Sequence, residues 1–90
     1  MPIMYDRELK LLGATGSIVG AKAIKASEED DKGRLTFELH LLIKGSTEWS
    51  KLVTSHNKTR LFPNLNFLYS LVMDSCPSID AVQVVISRDS

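Results

Sequence analysis

The side chains able to do covalent or metal chemistry in this chain of 90 residues are few: His40, His56 and Cys76. A nucleophilic thiol needs its pKa lowered by a neighbouring base or a helix N-terminus. Cys76 falls instead where a helical segment is expected to end, at the negative pole of its dipole, which favours the neutral thiol. Burial as a small apolar side chain is therefore the expectation for it. His40 alternates with Glu38 on the polar side of a strand and is expected at the surface. Two histidines at unrelated spacing make no zinc pattern, so the chain is expected to hold no metal or cofactor and not to be an enzyme.

Three further segments have a composition that could bind something. Leu12 to Gly20 reads Leu-Gly-Ala-Thr-Gly-Ser-Ile-Val-Gly. Over these nine residues it resembles the glycine-rich turn of nucleotide-binding Rossmann enzymes, although its spacing departs from G-x-G-x-x-G. The resemblance implies that Gly13 and Gly16 let backbone N–H groups approach a pyrophosphate, with a helix starting at Ser17 to stabilise the anion. Glu28, Glu29, Asp30 and Asp31 form the densest run of charge, but on a calcium-loop register Lys32 occupies a ligand position and Leu39 the place of the bidentate acid. That run reads as the solvated tip of a hairpin. His56, Lys58 and Arg60 cluster in a loop before a helix start, where basic side chains beside free N–H groups could hold an anion.

The elements that must position these residues follow from periodicity. Between Arg34 and Lys44 the chain alternates: Leu35, Phe37, Leu39, Leu41 and Ile43 point one way, and Thr36, Glu38 and His40 the other. A period of two marks a strand with one covered and one wet face. Tyr5–Leu12 alternates in the same sense and predicts a first strand, Gly13–Ser17 a turn, and Ser17–Ala26 a second strand joined through a hairpin loop at Ser27–Gly33 to the third. Thr47 reads as the N-cap of a short helix carrying Trp49, Leu52, Val53 and His56 at i, i+3, i+4 and i+7. Pro63 opens a second helix that ends near Ser75, ahead of Pro77. Ile79–Ser87 predicts a last strand, its apolar run suited to a central or doubly covered position, and residues 87–90 a polar tail.

In the second helix Leu65, Phe67, Leu68, Tyr69, Leu71, Val72 and Met73 cover more than half the circumference, leaving Asn66, Ser70 and Asp74 as a narrow polar stripe. One sheet cannot cover so wide an arc. Phe67, Tyr69, Leu71 and Met73 are accordingly the candidate interaction residues, and a second copy of the chain or another protein the expected partner.

Composition narrows the remainder. Eleven basic residues against eleven acidic ones give no excess for a polyanion, so a nucleic-acid partner is not expected. The single cysteine excludes an intrachain disulfide, Met1–Lys10 has no signal-like apolar run, and no stretch approaches the roughly 20 apolar residues that span a bilayer. A cytoplasmic protein without a membrane partner is the expectation. Residues 1–90 are expected to form one small α+β domain, a largely antiparallel sheet in the order β-β-β-α-α-β with one or two helices on one face. Its expected function is that of a non-enzymatic interaction or assembly domain, self-associating; the alternative is a small-ligand or nucleotide-binding protein using the Gly13–Gly20 turn.

Overall fold

The computed structural model describes residues 2–26, 36–79 and 81–85. Its elements are β1 (Ile3–Tyr5), α1 (Asp6–Ala14), β2 (Ile18–Lys25), β3 (Phe37–Ile43), β4 (Trp49–Val53), β5 (Leu61–Phe62), α2 (Leu65–Ser75) and β6 (Gln83–Val85). The α+β class and the helices on one face are as expected, but the order is β-α-β-β-β-β-α-β. The expected hairpin loop at Ser27–Gly33 and the tail at 87–90 lie outside the described residues.

The sheet runs β1-β4-β3-β2-β6, with β5 continuing alongside β3 where β4 leaves it. The pairings β2–β3, β3–β4 and β3–β5 are antiparallel; β1–β4 and β2–β6 are parallel. A parallel pair cannot be closed by a tight turn. Both helices serve as crossovers, α1 carrying the chain from β1 to β2 and α2 from β5 to β6. Each crossover passes two intervening strands in the same direction, so both helices lie on one side.

Strand β3 is central, and the covered half of its alternation holds: Leu39 and Leu41 are buried beneath the helices together with Met4, Ala21, Ala23, Leu52 and Phe62, whereas Thr36 and His40, expected on the wet face, are buried as well, each 3% exposed. Leu9 from α1 and Leu68 and Val72 from α2 close this core from above.

Two expected elements change type. Tyr5–Leu12 is not a strand: only its first residue belongs to β1, and helix α1 begins at Asp6. Leu9 is fully buried whereas Leu11, its partner in the expected alternation, is 66% exposed, so the working period is that of Leu9 and Gly13, four apart on one helical face. Arg, Glu, Leu and Lys supply helix propensity, Asp6 and Glu8 oppose the dipole in the first turn, and Glu8 Oε1 accepts the Tyr5 N–H at 3.0 Å.

The segment after Thr47 is likewise no helix but strand β4, joined to β3 by a turn in which Gly45 takes a φ of 86° and the Ser46 N–H bonds the Ile43 carbonyl at 2.9 Å. Leu52 faces the core and Trp49 and Val53 the other side, so apolar residues at i, i+3 and i+4 here serve two faces of one sheet. Strand β6 begins at Gln83, later than the expected Ile79, and among the described residues it lies at an edge, not in the middle; Val84 is 47% exposed although it shares the helix-facing side with Ala23.

Candidate functional site

Helix α2 is positioned by its start. Asn64 is the N-cap, its Oδ1 accepting the Phe67 N–H at 3.1 Å, and Pro63 precedes it where a missing donor costs nothing. From there Leu68, Val72 and Ser75 turn to the sheet and to α1. Phe67 remains 62% exposed and Tyr69 54%, while Leu71 and Met73 are half-buried against the core. Asp74 is the only charged residue in the eleven of this helix.

The four candidate residues do not form one patch. At about 100° per residue, Phe67 and Tyr69 stand roughly 160° apart around the helix axis. Phe67 and Leu71 share the flank toward α1, where Leu71, Asp74 and Ser75 border a shallow groove with Lys10 and Ala14. Tyr69 shares the opposite flank with Leu65 and Met73. α1 packs on β1, β4 and β2 and α2 on β2 and β5, so this second flank faces the β6 end of the sheet, where the helix-facing Val84 is 47% exposed.

His56, Lys58 and Arg60 sit on an excursion between β4 and β5, not between two helices. Thr54 organises it: its Oγ1 accepts the N–H groups of His56 and Lys58, both at 3.3 Å, and its own N–H donates to the Lys58 carbonyl at 2.7 Å. Asn57 takes a φ of 63° and receives the Tyr5 hydroxyl on its Oδ1, which ties the excursion to β1. Arg60 lies over the Phe62 ring at 5.4 Å. The three basic residues are exposed, and one free N–H of the first turn of α2, that of Phe67, is already held by Asn64. Beside Tyr5, an open depression of about 660 Å³ is bordered by Asp6, Arg7, Glu8, Lys10 and Ser55, whose two acids and two bases balance.

At Gly13–Gly20 the helix comes before the turn. Gly13 belongs to α1, Gly16 takes a φ of 74°, the Ser17 N–H bonds the Leu12 carbonyl at 2.9 Å and the Gly16 N–H the Gly13 carbonyl at 3.2 Å. This is a Schellman helix end. It presents a negative dipole pole where a phosphate cradle needs a positive one, and Ser17 leads into strand β2.

His40 is corrected from surface to interior. It is 3% exposed on the sheet face that carries no helix, its Nε2 paired with Glu38 Oε1 at 3.0 Å and its Nδ1 without a partner among the described residues. Its cover is local. The Trp49 indole reaches across β3 to Gly20, where a Cβ would come within 3.1 Å of the ring, and Lys22 places its Nζ 4.2 Å from the ring centroid. Lys22, His40 and Lys51 occupy one cross-strand row. Sequence reasoning missed this cap, and the i, i+2 pair Glu38 and His40 was the only local sign of it.

Cys76 is buried at the end of α2, and burial pushes its thiol pKa up, opposite to a nucleophile. Among the described residues no group of three His, Cys, Asp or Glu side chains could hold a metal, and no helix is long and apolar enough to cross a membrane. No protein-family model, no curated protein and no solved structure matches the chain.

Proposed function

We propose that this protein is a non-enzymatic, cytoplasmic interaction domain that assembles with copies of itself. The observation carrying the reading is helix α2: one charge in eleven residues, with Phe67 and Tyr69 each more than half exposed. A helix on a free surface ordinarily pairs its apolar stripe with a charged opposite face. Large aromatic side chains left in water forgo burial worth roughly 2 kcal/mol each, and they are enriched where proteins meet. Self-association is read from sedimentation equilibrium over a wide concentration range, with a rising weight-average mass expected. A chain that stays monomeric at high micromolar concentration refutes it.

A further inference from the structure

Two apolar surfaces compete for the contact between copies, and their charge separates them. The helix-free face of the sheet carries Trp49 and Leu42, but also the row of Lys22, His40 and Lys51. A two-fold contact made through that face sets lysines against lysines, which costs free energy. The shoulder formed by the outer flank of α2 and by β6 has no such obstacle. Leu65, Tyr69 and Met73 on the helix and Gln83, Val84 and Val85 on the strand are all uncharged, so the surface can meet itself.

The strand contributes a second argument. Among the described residues β6 pairs only with β2, and its outer edge has no strand beside it. Natural sheet edges are blunted with charges, prolines or bulges against pairing with another chain. Gln83, Val84 and Val85 of β6 carry no charge and no proline, and Val84, on the helix-facing side, lies half exposed.

Resting on the self-association proposed above, we infer that the second copy docks on this shoulder. Strand β6 pairs antiparallel with β6 of the other copy about a two-fold axis, continuing the sheet, and the Leu65, Tyr69 and Met73 flanks meet above the joint. A three-residue strand and one helical flank make a small interface, so the dimer is concentration-dependent, with a dissociation constant in the micromolar range.

The test is sedimentation equilibrium of the full chain and of four variants at half-exposed positions, each confirmed folded by circular dichroism. Val84→Lys and Tyr69→Glu are each expected to weaken dimerisation at least ~10-fold. Ile3→Lys, at the other edge, and Leu11→Glu, exposed on α1, are expected to leave it unchanged. Amide exchange at Gln83–Val85 is expected to slow as protein concentration rises. A dimer indifferent to Val84→Lys and Tyr69→Glu overturns the docking surface and leaves self-association standing, whereas a wild-type chain that is monomeric throughout overturns both.

Discussion

Gly13 of α1 touches the last turn of α2 so closely that a Cβ built on it would fall onto the Ser75 carbonyl oxygen, 2.7 Å from the carbonyl carbon and 3.0 Å from Cys76 Sγ. The obstacle is backbone, which cannot swing aside as a side-chain tip would. Alanine normally improves a helix interior over glycine by about 1 kcal/mol, and here the clash outweighs that gain. Gly13→Ala is expected to cost about 2 kcal/mol or more, as overpacked interiors do. Urea denaturation followed by far-ultraviolet circular dichroism reads the shift in midpoint, and an unchanged midpoint means that the helices are not in this contact.

Gly16 three residues on is needed for a different reason. Nothing lies within 4 Å of a Cβ there, but its φ of 74° is left-handed. Gly16→Ala is therefore expected to cost about 1 kcal/mol through backbone strain alone, and Gly16→Asn less than Gly16→Ala, since asparagine tolerates that region. Equal losses for the two variants at equilibrium unfolding count against the helix end described.

Gly20 makes room for an indole. A Cβ at position 20 meets Trp49 Cη2 at 3.1 Å and Leu42 Cβ at 3.4 Å. Gly20→Val is expected to lift the ring off the sheet and cost about 1–2 kcal/mol. Because Trp49 is the only tryptophan, its emission reports the event directly, moving to longer wavelength as the ring meets water. An emission maximum that stays in place contradicts the packing.

These glycines show how far local patterns reach. Strand β3 and helix α2 were legible because each carries its own signal, alternation in one and Pro63, Asn64 and a long apolar run in the other. Helix α1 was not: Tyr5, Leu9 and Leu11 imitate a strand, and what decides between periods is whether position 13 can approach Ser75, more than sixty residues away. Strand β4 was misread because apolar residues on both faces of a strand fall at helical spacing. For the candidate site, the excess apolar arc of α2 was visible, but not that Phe67 and Tyr69 face opposite ways, one toward α1 and one toward the β6 end of the sheet. The burial of His40 depends on Gly20, Lys22 and Trp49, contributed by two other strands.

His40 is a buried group whose chemistry the fold leaves half used. One ring nitrogen bonds Glu38, and the other has no partner among the described residues. An unpaired buried polar atom costs free energy that an apolar ring of similar shape does not, while Glu38, being partly exposed, can turn to water when its partner is lost. His40→Phe is thus expected to leave the melting temperature unchanged or raised. His40→Asp, burying a carboxylate beside Glu38, is expected to cost about 3 kcal/mol or more. A large loss on His40→Phe would assign the imidazole a partner beyond those described.

Cys76 gives the fold a dependence on alkaline pH whose sign is fixed by its burial. The thiol is held above its ordinary value of 9.0 by desolvation of the thiolate. Below that value both the folded and the unfolded chain carry the neutral thiol, and its contribution to stability is fully present. Above it the unfolded chain loses a proton that the folded chain keeps, so stability falls as pH rises toward the folded-state pKa. Cys76→Ala removes this component, and the difference between wild type and variant in urea midpoint is expected to be flat through neutral pH and to narrow or reverse above about pH 9. Alkylation by iodoacetamide supplies the kinetic counterpart: at pH 8 the native thiol is expected to react far more slowly than that of the urea-unfolded chain, because reaction needs both access and the thiolate. Equal rates in the two states would place Cys76 at the surface and remove the pH effect with it.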